Sequence, residues 1–134
     1  MKFVPRSYQK LIVDNILYNK RTAVFAGMGL GKTASTLEAI RQIKAVRPSL
    51  TVLIIAPLRV AQSTWPDEVR KWDSFKNLRV SVICGSAKAR RDALLADADI
   101  YTINYENIPW LVEELKGDWF FDLIVADEST RLKG

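Results

Sequence analysis

Residues 22 to 33 read Thr22-Ala-Val-Phe-Ala26, then Gly27-Met28-Gly29-Leu30-Gly31-Lys32-Thr33. The first five are small and apolar and predict a short strand. From Thr33 to Val46, Leu37, Ile40 and Ile43 recur at helical spacing, and Pro48 stops the helix. The loop between strand and helix holds three glycines, so its backbone N–H groups can close around phosphate oxygens with no Cβ in the way. The helix N-terminus adds its positive dipole end at the same place. In this P-loop reading Gly27, Met28, Gly29, Leu30 and Gly31 cradle the phosphates of ATP. Lys32 reaches the β- and γ-phosphates, and the Thr33 hydroxyl is placed to hold Mg²⁺. The strict pattern has a glycine five residues before Gly31, where this chain has Ala26.

Outward from this stretch the chain alternates. Upstream, Ser7 to Tyr18 predicts a helix with Tyr8, Leu11, Ile12 and Ile16 on one face. Downstream, Thr51 to Ala56 is apolar on both faces, as a buried parallel strand is. Val60 to Trp72 predicts a helix that Pro66 starts or kinks. A strand over Arg79 to Cys84, a helix over Ser86 to Ala96 with Ser86 as cap, and a strand over Ile100 to Ile103 follow. Asn107 to Lys116 predicts a helix and Phe121 to Ala126 a last buried strand. Five strands separated by helices imply βαβ units: an α/β fold with a parallel sheet covered on both faces. No repeat or linker divides the chain, so residues 1–134 read as one domain.

The last strand, Leu123-Ile-Val-Ala126, runs into Asp127-Glu128. An apolar strand followed by two carboxylates is the Walker B arrangement. Asp127 would share the Mg²⁺ with Thr33, and Glu128 would take a proton from the attacking water. In open parallel sheets ligands sit at the carboxyl ends of the strands, where both motifs fall.

Composition excludes other chemistries. With no histidine there is no Ser-His-Asp triad, and the single cysteine, Cys84, rules out an internal disulfide. Twenty Lys and Arg against 15 Asp and Glu give a formal charge of +5, compatible with a polyanionic partner. The longest apolar run, Val52 to Pro57, is far short of the roughly 20 residues of a membrane span. The expectation is a soluble cytoplasmic protein without membrane contact. Lys88, Arg90 and Arg91 read as a solvated helix face, the four tryptophans as core or interface residues, and Cys84 as a buried small apolar group.

As a set, the motifs resemble Snf-type superfamily 2 helicases, in particular short ones of phages and bacteria. Met28-Gly-Leu-Gly-Lys-Thr33 is similar to their nucleotide-binding motif, and Arg6-Ser-Tyr8-Gln9 to their upstream Q motif. Ile54-Ile-Ala-Pro57-Leu58, with Trp65, Glu68 and Lys71-Trp72, resembles motif Ia and the segment after it. Thr102-Ile-Asn104-Tyr105-Glu106 resembles the family's Thr-Tyr-Glu stretch. Asp127-Glu128-Ser-Thr-Arg131-Leu-Lys133 stands where the family has Asp-Glu-Ala-His and a basic tail. The matches run in order from residue 5 to residue 133. Ala26-Gly27 replaces the family's Asp-Glu before the loop, and Thr130 replaces its histidine.

The resemblance implies a RecA-like P-loop lobe that binds ATP and Mg²⁺ as half of a DNA-dependent ATPase or translocase. It implies that Gln9 reads adenine, and that Arg59, Ser63, Asn104 and Tyr105 face a DNA strand. A second RecA-like lobe, in cis or in trans, would supply the arginines for cleavage, worth about 10³–10⁵ in rate. Residues 1–134 contain neither motif III nor that lobe, so the expectation is a lobe incomplete after the Walker B strand, with little turnover alone. In the family the motif III strand separates the P-loop strand from the Walker B strand, so a gap is expected between Thr22–Ala26 and Phe121–Ala126. The alternative is a stand-alone nucleotide- or DNA-binding module without turnover. A small-molecule P-loop kinase would account for neither Gln9 nor Asp127-Glu128.

Overall fold

A computed structural model describes residues 22–26, 32–116, 118 and 120–127. The helix expected over Ser7–Tyr18, with Gln9, lies outside them, as do the loop Gly27–Gly31, the Lys32 side chain and Glu128. Among the described residues five strands form one all-parallel sheet: β1 (Thr22–Ala26), β2 (Val52–Ala56), β3 (Val80–Ile83), β4 (Ile100–Asn104) and β5 (Leu123–Asp127), in the order β1-β5-β2-β4-β3. Four α-helices connect them: α1 (Lys32–Val46), α2 (Trp65–Lys71), α3 (Ala87–Leu95) and α4 (Ile108–Leu115). Each expected element from Thr22 onward is present, with ends shifted by no more than a few residues.

β2 shows why the sheet is covered on both faces. All five of its side chains are buried. Val52, Ile54 and Ala56 join a core with Leu37 and Ile40 of α1 and Trp65 and Val69 of α2. Leu53 and Ile55 point the other way, among Leu94 of α3 and Ile108 and Leu111 of α4. The period-2 alternation thus feeds two apolar layers, and burying each large side chain is worth about 1.5–3 kcal/mol.

Local signals set the helix ends. The Ser86 side chain accepts a hydrogen bond from the Ala89 N–H at 3.1 Å and caps α3. Gly85, just before it, has φ +93, a left-handed conformation that suits glycine. Between β2 and α2 the expected single helix is divided. Val60–Thr64 winds as a π-helical turn, and α2 follows with Pro66 in its first turn.

The strand order corrects one expectation. β1 pairs directly with β5, with Thr22 opposite Leu123 and Ala26 opposite Asp127, and no strand lies between them. β5 also pairs on its other side with β2, Val52 opposite Leu123. An apolar strand left with open N–H and C=O groups is costly, and β1 meets those of β5 in a five-residue parallel register. The sheet is continuous across the place where a gap was expected.

Candidate functional site at the carboxyl ends of the strands

The registers bring Ala26, Asp127, Ala56 and Asn104 to one edge of the sheet. Ala26 lies opposite Asp127, Ile55 opposite Ala126, and Ala56 opposite Asn104. β1 ends at Ala26, opposite Asp127, and α1 begins at Lys32. Thr33, one residue into α1, is half-buried.

Asp127 is 2% exposed and ends β5. The Trp65 indole Nε1–H donates to its Oδ2 at 3.3 Å. The Tyr105 hydroxyl donates to its main-chain carbonyl at 2.8 Å. Both donors are buried, so the carboxylate sits in a fixed frame built from α2, the turn after β4 and β5 itself.

Trp65 lies where the π-helical turn meets α2, one residue before Pro66. In the π-helical turn the Trp65 N–H bonds to the Val60 carbonyl. The corresponding donor for the Ala61 carbonyl would be Pro66, which has no N–H. The Thr102 hydroxyl of β4 supplies it, donating to the Ala61 carbonyl at 2.8 Å. Ala61, Trp65 and Val69 are all buried in one core, which faces this side of the segment into the sheet. π-helical insertions of this kind are frequent at functional sites.

Of the four residues expected to face DNA, the structure leaves Arg59 and Ser63 exposed on the segment after β2. Asn104 and Tyr105 are buried, 6% and 1% exposed. The Asn104 side chain accepts from Asn107 Nδ2 at 2.7 Å and donates to Glu106 Oε1 at 3.0 Å. Tyr105 is committed to Asp127. Their expected place on a DNA-facing surface is corrected: strand alternation and the turn after β4 direct both inward. The expected basic face on α3 is paired. Lys88 binds Asp92 at 2.9 Å, Arg91 binds Glu114 at 3.2 Å, and Arg90 lies over the Trp110 ring at 4.8 Å. Cys84 is buried, as expected, and burial pushes its thiol up.

Two residues of the site carried sequence signals that pointed elsewhere. Trp65 reads as a core residue, yet a buried indole needs an acceptor for its N–H. The carboxylate at the end of the neighbouring strand provides one. Thr102 is fully buried in β4, and a buried hydroxyl likewise asks for a partner. Among the described residues no three His, Cys, Asp or Glu side chains gather into a metal cluster. No helix among them is long and apolar enough to cross a membrane.

Comparison with known proteins agrees with this architecture. The chain is 52% identical over 136 aligned positions to protein p41 of Acyrthosiphon pisum secondary endosymbiont phage 1. The alignment covers 98% of the chain but only 29% of that protein, so the chain spans less than a third of the relative's length. Residues 16–134 match the family model described as the SNF2-related domain. With its parallel sheet and both helical layers, the chain is a RecA-like α/β lobe, and it belongs to the SNF2-related domain family.

Proposed function

We propose that the chain is the ATP–Mg²⁺-binding lobe of a Snf-type, DNA-dependent ATPase or translocase, working against a second RecA-like lobe in the cytoplasm of a bacterial or phage-infected cell. The observation that supports this most is the register of β1 with β5, which sets Ala26 opposite Asp127. It sets the last residue of β1, just before the glycine-containing stretch of sequence, beside a buried carboxylate at the carboxyl edge of the sheet. A hydroxyl (Thr33) and a carboxylate (Asp127) are hard oxygen donors of the kind Mg²⁺ takes alongside phosphate oxygens.

In this reading Gly27 to Gly31 offer backbone N–H groups to the phosphates and Lys32 neutralises the β- and γ-phosphates. Thr33 and Asp127 would hold the metal, which when bound draws negative charge from the phosphate oxygens. Glu128, the next residue, takes the proton of the attacking water, and Gln9 pairs with the adenine edge. Arg59 and Ser63 make backbone contacts to DNA that carry little sequence information and weaken with salt.

Lys32→Ala tests the phosphate cradle. It removes a charge-assisted contact to the phosphates, and titration calorimetry with Mg²⁺–ATP should show at least a tenfold loss of affinity, about 1.4 kcal/mol or more. Unchanged affinity would refute the reading. Glu128→Gln should bind as the wild type does and fail only in hydrolysis by the two-lobe protein.

A further inference from the structure

We infer that Trp65 is a positioning residue for Asp127, fixing the carboxylate in the orientation in which it takes a divalent cation. The inference rests on the reading of Asp127 as a Mg²⁺ ligand given above. Its ground is a single buried contact, the Trp65 indole N–H donating to Asp127 Oδ2 at 3.3 Å.

Three features separate this contact from an ordinary core hydrogen bond. First, Trp65 is fully buried and Asp127 is 2% exposed, so there is little room for water to replace the indole. Second, the carboxylate is a planar acceptor on one rotatable bond beyond Cβ. Its main-chain carbonyl is already held by Tyr105 at 2.8 Å. The indole adds a hydrogen bond to the carboxylate itself, on a residue whose backbone is already tied. Third, the indole is placed by a built device and not by packing alone. The π-helical turn Val60–Thr64, the missing N–H of Pro66 and the Thr102 hydroxyl on Ala61 together fix where α2 begins. Partners that orient a metal-binding side chain typically change metal affinity by about 10–100-fold when removed.

Trp65→Phe removes the N–H and keeps most of the ring. At fixed ATP, the Mg²⁺ concentration for half-saturation should rise about tenfold or more. Binding of ATP in EDTA should stay at the wild-type level. Leu111→Ala, in the core on the opposite face of the sheet, is the structural control: it should lower the melting temperature and leave Mg²⁺ half-saturation where it was. A second measurement needs no change at Trp65. In the wild-type chain one indole N–H resonance, assigned by replacing each of the other three tryptophans with Phe, should shift with Mg²⁺–ATP and hold still with ATP in EDTA. If Trp65→Phe titrates with Mg²⁺ as the wild type does, or if Leu111→Ala moves half-saturation equally, the inference falls. If Trp65→Phe does not fold, the resonance decides: one indifferent to Mg²⁺ overturns the inference. Asp127→Asn separates the two claims. Loss of Mg²⁺ dependence there with none in Trp65→Phe sinks only the positioning role. Unchanged Mg²⁺ dependence in Asp127→Asn sinks the metal reading itself, and the inference with it.

Discussion

Asp99, at the foot of β4, lies between two cations. Its carboxylate meets Lys44 Nζ at 3.1 Å and Arg79 Nε at 3.5 Å, and accepts from the Arg79 main-chain N–H at 2.8 Å. Burial pushes the Asp99 carboxyl up, but the Arg79 N–H and the Lys44 and Arg79 side chains outweigh it and hold it below its ordinary 3.8. The folded state therefore binds this proton less readily than the unfolded chain. The stability it contributes is fully present above the unfolded value and is lost as pH falls through the folded one. Melting temperature should drop as pH is lowered from about 5 towards 2, and Asp99→Asn should flatten that slope; an unaltered slope would contradict the assignment. The places of Thr33 near the start of α1 and of Asp127 at the end of β5 were legible in the sequence, because helical apolar spacing and an apolar run ending in a carboxylate are local patterns. Asn104 and Tyr105 were not, because whether a polar group beyond a strand end faces water or folds inward depends on its tertiary partners. Here those are Asn107, Glu106 and Asp127.

The segment from Val60 to Lys71 shows what an element adds to its residues. Apolar spacing at Ala61, Trp65 and Val69 predicts one helical face, and that face is buried as expected. Periodicity does not tell an α-turn from a π-turn, since both keep the same side inward over so few residues. Pro66 signals a start or a kink but leaves the hydrogen-bond register open. That register is set by Thr102, 41 residues away along the chain, through its bond to the Ala61 carbonyl. Thr102→Val keeps the shape and leaves a buried carbonyl without this donor. Denaturant unfolding should show a loss of about 1–3 kcal/mol. A loss within error of zero would mean that the turn does not depend on Thr102. By contrast, the Ser86 cap of α3 was legible outright, because its signal is local: a short hydroxyl side chain three residues before the N–H it accepts from.

For the whole molecule, five strands and the helices between them could be read from the pattern of apolar residues, but their order in the sheet could not. Periodicity says which segments are strands; neighbours are decided by which crossovers pack and which backbone edges close. That is why β1 against β5 had to come from the structure, and it is this pairing that makes the site, since it aligns Ala26 with Asp127. The proposed function requires that this edge take a nucleoside triphosphate with its metal. Thermal unfolding of the chain with Mg²⁺–ATP, with ATP in EDTA and with adenosine tests it most directly. A ligand at a hundred times its Kd stabilises the folded state by about 2.7 kcal/mol, which for a domain of this size is roughly 10 °C. A rise of that order is expected with Mg²⁺–ATP, a smaller one without the metal, and at most a slight one with adenosine, which has no phosphates. Equal melting temperatures in all three, or a rise with adenosine as large as with Mg²⁺–ATP, would contradict it.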